Sequence, residues 1–213
     1  MLTLKGFVLV AVVSATVSAL WPAAGGAATL KGVVVARERG TVLVASQAGL
    51  IRAVRGSAAV GSRVAVGAGR ATVVGRATRA HVRGIVLRRV GRTMFISSNR
   101  HLLALRSSDT TPPAPGTVIS AQVGIANGQL DEQNEEDVGQ VANGTIPVQA
   151  TVTAVAAGSV TLTVGGQSLT VPLPGGLALP ASLVGQTVTI QLSVAGNAND
   201  DQGDDDQSGG GDG

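Results

Sequence analysis

From Leu30 to Val194 apolar and polar positions alternate in short runs dense in valine, isoleucine and threonine, and glycine interrupts them repeatedly. No long stretch keeps the helical period of 3.6 residues, so the pattern predicts short strands joined by tight turns. Asn127–Gly128 and Gly165–Gly166 suit two-residue hairpins, because glycine adopts the positive φ such turns require. Pro180 followed by Ala-Ser-Leu-Val suits one helical turn.

The strand pattern is written three times. KGVVVARERGTVLVASQAGLIRAV starts at Lys31, RGIVLRRVGRTMFISSNRHLLAL at Arg83, and QATVTAVAAGSVTLTVGGQSLTV at Gln149. Each copy opens with an apolar strand and turns at a glycine: Gly40, Gly91 or Gly158. A second and a third strand follow, then a second glycine (Gly61, Gly116 or Gly185) and a further alternating run. The inward residues of that run are expected to be Val64 and Val66, then Ile119, Ala121 and Val123, then Val188, Ile190 and Leu192. A fifth strand near Ala71–Val74 would close the first sheet. Repeats of this length call for stacked or tandem units. The fold class expected is all-β: two to three tandem small OB-like or SH3-like antiparallel barrels, with an N-terminal signal helix and a disordered acidic C-terminal tail. A single β-sandwich through all copies, or units that close only on their neighbours, fits the same pattern. Units this small bury little surface alone, so contacts between them are expected.

The rhythm G-x-V-x-x-x-x-x-G-T-V-x-V, followed by V-G-x-x-V-x-V, is carried by Gly32–Val44 with Val60–Val66 and by Thr151–Val164 with Val184–Ile190. It resembles the small β-barrel repeat domains of unknown function of exported bacterial proteins. The second copy departs from it at Pro112, Pro113 and Pro115. The resemblance implies an OB-like fold and an exported setting, and it supplies no catalytic residue.

The ends are different in kind. Lys5, the apolar run Phe7–Val17 and the small residues from Ser18 to Ala28 follow the basic, apolar, small order of a secretory signal peptide. Cleavage fits after Ala19 or near Ala27–Ala28, and the rival reading is an uncleaved anchor. Gly196–Gly213 has one alanine and no larger apolar residue, too little to offset the entropy of ordering. The organisation expected is a signal peptide (1–28), β unit one (29–80), β unit two (81–126), an acidic linker (127–146), β unit three (147–196) and a disordered acidic tail (197–213). The protein is expected to be secreted or retained in the cell envelope.

Charge divides the chain sharply. Fifteen of the sixteen basic residues lie between Lys31 and Arg106, with Glu38 as the only acid there; after Arg106 there are twelve acids and no lysine or arginine. Guanidinium groups suit phosphate and carboxylate polymers, so Arg37, Arg39, Arg52, Arg55, Arg88, Arg89 and Arg92 form a candidate surface for an anionic ligand. The plainer reading is a solvated face in an arginine-biased composition. The acidic tail could lie back on the basic units, but only in contact, since the Debye length at physiological salt is about 8 Å. The sequence names no partner; an anionic envelope polymer is the candidate that the arginines would suit. Nucleic acid fits less well, because base stacking needs aromatics and Phe95 is the only one after Trp21.

The residues for catalysis are sparse. There is no cysteine, hence no thiol nucleophile, cysteine metal site or disulfide. His81 and His101 are the only histidines and have no ligand-like spacing. Neither G-x-S-x-G nor a P-loop occurs. The aspartates at 200–206 match no EF-hand loop, and Asn143-Gly144-Thr145 is read as a turn before a glycosylation acceptor. No enzyme activity, cofactor or metal is expected, and the role expected is structural or adhesive.

Overall fold

The computed structural model describes residues 30–38, 40–111, 113–141, 144–164, 167–173 and 177–194. The leader at 1–28, Arg39, Asn143, the Gly165–Gly166 turn and the tail at 197–213 lie outside the described residues.

Strands β1 (Leu30–Glu38), β2 (Thr41–Ala45), β3 (Ile51–Arg55), β4 (Ser62–Gly67) and β5 (Arg70–Arg76) close a barrel in the order β1-β2-β3-β5-β4. All contacts in it are antiparallel except one parallel bridge, Arg55 opposite Arg70, between β3 and β5. Strands β6 (Arg79–Val90), β7 (Thr93–Ser98), β8 (His101–Arg106), β9 (Thr117–Ala126) and β10 (Gln129–Gln140) pair in the same circuit. There the parallel bridge between third and fifth strands sets Arg106 opposite Asp131. Finally β11 (Gly144–Ala156) pairs with β12 (Ser159–Val164) and β14 (Thr187–Val194), and β12 pairs with β13 (Gln167–Pro172). A 3-10 turn at Ala181–Leu183 precedes β14, where Pro180 predicted it. The described residues contain no α-helix.

Residues 127–146, expected as an acidic linker, contain β10 and the start of β11. Asn127 and Gly128 have φ of 52° and 75°, the geometry of a tight hairpin, which sends the chain straight back along β9. Ladder hydrogen bonds are made by the backbone, so an acidic sequence can pair as a strand. Those charges also keep the outer edge of β10 from recruiting another strand. His81, expected just ahead of the first strand of its unit, lies within β6.

Details recur at fixed spacing. The first hairpin of each group carries a bulge at the same place: between Val34 and Ala36, between Val86 and Arg88, and between Val152 and Ala154. These positions differ by 52 and then by 66 residues, as do the hairpin pairs Glu38↔Thr41, Val90↔Thr93 and Ala156↔Ser159. The amides of Gly61, Gly116 and Gly185 donate to the carbonyls of Val34, Val86 and Val152, each at 2.8 Å. Their φ values of 86°, 92° and 83° favour glycine at all three places. Gly40 and Gly158 stand second in their hairpin turns with φ of 72° and 73°, whereas Gly91 stands first with φ of 59°. The matching backbone position in that turn is Arg92: its carbonyl accepts from Ser107, as those of Gly40 and Gly158 accept from Gly56 and Leu173.

The core is aliphatic and runs through the groups. Val34, Val42, Val44, Val54 and Val64 fill the first barrel. Val35, Ala36, Leu43, Ala45 and Ile51 join Val82, Met94, Ile96, Leu103, Leu105, Ile119 and their neighbours in one cluster, which packs the barrel against β6–β10 of the second, nine-stranded sheet. Leu87, Phe95 and Leu102 join the interior of β11–β14, including Val148, Val160, Leu162, Leu169 and Ile190. The inward residues predicted from alternation are all buried or pack against these cores. Phe95, 1% exposed, fills a junction and is withheld from any ligand.

Candidate functional site

The candidate arginines divide by strand register. In the first barrel Glu38, Thr41, Arg55, Arg70 and Gly67 are successive register partners across the end that carries the β1–β2 and β4–β5 turns. Arg37, one step from Glu38 on β1, is exposed at the same end, as are Arg55 and Arg70. Arg52 is three residues from Arg55 and so leaves the opposite face of β3. It is exposed, opposite Val44. Arg37 pairs with the interior Val42, so it too leaves the face opposite that row: the structure sets Arg70 beside Arg55, places Arg37 at the same end but off their face, and separates Arg52. Arg39 lies outside the described residues.

Strands β6–β10 repeat the row as Val90, Thr93, Arg106, Asp131 and Gly124. Arg89 occupies the place of Arg37 and donates Nε–H to the Gly91 carbonyl at 2.7 Å. Arg92 is exposed in the adjoining turn. Arg88 donates instead to the Thr170 carbonyl on β13 at 3.3 Å, which commits it to a junction between strand groups. Arg106 donates to Gln129 Oε1 at 2.7 Å. Sequence reasoning passed over Arg70 and Arg106. The signal for Arg106 was present: it follows the strand-opening Thr93 at nearly the spacing by which Arg55 follows Thr41. The last strand group has Pro172 opposite Ser159 and carries no arginine.

The two strand groups differ at the bridge between third and fifth strands. Arg106 meets Asp131, an opposite-charge pair of register partners, whereas Arg55 meets Arg70. Like charges set side by side on a sheet repel, and an anion between them relieves that repulsion. Glu38, at the end of the same row, has its carboxyl pKa raised by burial.

The histidines sit in structural settings. His81 Nε2 lies 2.8 Å from Ser120 Oγ and Nδ1 3.2 Å from the Gln47 carbonyl, so both ring nitrogens are engaged. His81 borders an open cleft of about 280 Å³ that includes Gly32, Ser46, Gln47, Arg79 and Gln122; none of its lining residues is an aspartate or glutamate. His101 opens β8 beside Gln149 of β11, with Nδ1 buried and unpartnered; burial lowers its pKa and favours the neutral ring.

A carboxylate cluster marks β10. Burial, then Glu132, Asp137 and Asp109, push the Glu135 pKa up to about 7. One oxygen each of Glu132 and Glu135 is buried without a partner. Among the described residues no three histidine, aspartate or glutamate side chains are arranged to hold a metal ion.

No protein-family model matches this sequence, and no curated protein matches it. The functional reading therefore rests on geometry and charge.

Proposed function

We propose that the chain is an exported, non-enzymatic protein whose body is three tandem copies of one OB-like block, with a structural or binding role at the cell envelope. The observation that carries this reading is the recurrence of one bulge and one glycine hydrogen bond in β1–β5, β6–β10 and β11–β14, with the five-strand circuit itself recurring in the first two groups. The closed five-strand barrel in the order β1-β2-β3-β5-β4, with a parallel bridge between third and fifth strands, supports the OB-like part of the reading. Export follows from the order of residues in the leader. Fractionation of expressing cells tests the reading. The expected product is shortened at its N-terminus and found in the envelope or the medium. Full-length protein in the cytosol would overturn it.

One observation favours a more specific role, binding of an anionic envelope polymer. OB barrels bind through the face of their second and third strands and the loops after the first and fourth strands. Here those loops border Arg37, Arg55 and Arg70, and the adjacent Arg55–Arg70 pair has no acid as register partner. Retention of the full chain on immobilised polyphosphate across a salt series tests this. Arg55→Ala with Arg70→Ala is expected to lower retention at low salt and to reduce the salt slope by about two charges. Elution unchanged by the pair would rule the site out. Deleting 197–213 is expected to strengthen retention if the tail screens the arginines.

A further inference from the structure

In the first two strand groups an outward sheet face docks on the next group. Register identifies five matching positions on it: Val35, Leu43, Ala45, Ile51 and Ala53 in the first, and Leu87, Phe95, Ser97, Leu102 and Ala104 in the second. Val35, Leu43, Ala45 and Ile51 belong to the core shared with β6–β10, and Leu87, Phe95 and Leu102 to the core of β11–β14. Each junction is tied by the same backbone hydrogen bond. The amide of Arg83 donates to the Gly49 carbonyl at 2.9 Å, and that of Gln149 to the Arg100 carbonyl.

In the last group the five positions are Thr153, Thr161, Thr163, Ser168 and Thr170. Every one carries a hydroxyl, and none is buried. Four of the five hydroxyls bond to one another or to the backbone. Thr163 Oγ1 donates to Thr153 Oγ1 at 3.1 Å, Thr153 Oγ1 donates to the Thr161 carbonyl at 3.3 Å, and Thr161 and Thr170 share a hydrogen bond at 3.3 Å. At the other end of the array, the inward positions Leu103 and Leu169 are 0% and 2% exposed, while their counterpart Arg52 is exposed.

We propose that the hydroxyl face on β12–β13 and Arg52 on β3 are the two caps of a finite array, which bar a second copy of this chain from docking end to end as the units dock within it. A fourth unit would bury five hydroxyls, four of them already hydrogen-bonded on this face, and at the other end it would desolvate a guanidinium. Tandem arrays need polar terminal faces for solubility, and a head-to-tail contact that does not close grows into filaments.

The inference rests on the three-unit reading, and the test separates the two. In the full chain, Thr153→Leu, Thr161→Phe, Thr163→Ser, Ser168→Leu and Thr170→Ala copy the second docking face onto the third, and Arg52→Leu opens the other end. By sedimentation the parent is expected to stay monomeric, and the combined variant to rise about twofold or more in average mass with concentration, as open head-to-tail contacts do. Two results overturn the caps: a combined variant that is folded and monomeric, or a parent that associates and loses association on Thr161→Arg. The converse variant, Leu87→Thr with Phe95→Thr and Leu102→Ser, guards against a graft that fails to fold. It is expected to free β11–β14 from β6–β10, read as new protease cleavage near residue 141. Units that stay joined would sink the three-unit reading itself.

Discussion

Phe95 shows how much one side chain carries in a body with so few aromatics. It is buried between β6–β8 and the β11–β14 core, so Phe95→Ala removes a ring from a packed junction. A loss of about 3–5 kcal/mol is expected in denaturant unfolding. A loss below 1 kcal/mol would mean the junction is not packed as described. Its sequence position marked it as the only aromatic of the body; that it is unavailable for stacking followed only from the register that pairs it with Ala104 on an outward face covered by β11–β14.

Glu135 gives a pH signature. Its folded-state pKa of about 7 lies above the ordinary carboxylate value of 4.5, so the folded state binds the proton more tightly. Its contribution is complete below pH 4.5 and is lost as pH rises through 7. The melting temperature of Glu135→Gln is therefore expected to fall less between pH 5.5 and pH 8 than that of the parent. His101 acts with opposite sign: its lowered pKa costs stability as pH falls below 6.5. Equal pH dependence in parent and Glu135→Gln would show that the carboxylate is solvated.

At the scale of elements, the hairpins were legible because turn chemistry is local. Asn127–Gly128, Pro180 and the fifth strand near Ala71–Val74 all fall where the residues placed them. β10 was not legible, because its run of acids reads as solvated chain until β9 supplies a pairing partner. The glycine ahead of each fourth strand is the sharpest element-level test. Gly185→Ala meets open space but keeps a φ of 83°, so it is expected to cost about 1–2 kcal/mol from backbone strain alone. Gly61→Ala is expected to cost more, because its Cβ would also lie 3.2 Å from the Ala77 carbonyl and 3.3 Å from Ile125 Cγ2. Thermal melts of the two variants check the order, and equal losses would contradict it.

For the whole molecule, the proposal is of one block used three times, with an outer face that changes from apolar, to apolar with an aromatic, to hydroxyl. The recurring spacing of glycines and valines on which that proposal rests was visible in the sequence. Its docking logic was not, because Thr161 and Phe95 become equivalent only through the strand pairing. Nor was the arginine row, since Arg55 and Arg70 meet through a parallel bridge that no local pattern announces. The most direct measurement is of scalar couplings across hydrogen bonds by NMR on the labelled chain. Coupling is predicted from the amide nitrogens of Gly61, Gly116 and Gly185 to the carbonyl carbons of Val34, Val86 and Val152, respectively. Three such couplings are the expected result; their absence at any one copy, in a folded sample, would contradict a block built three times.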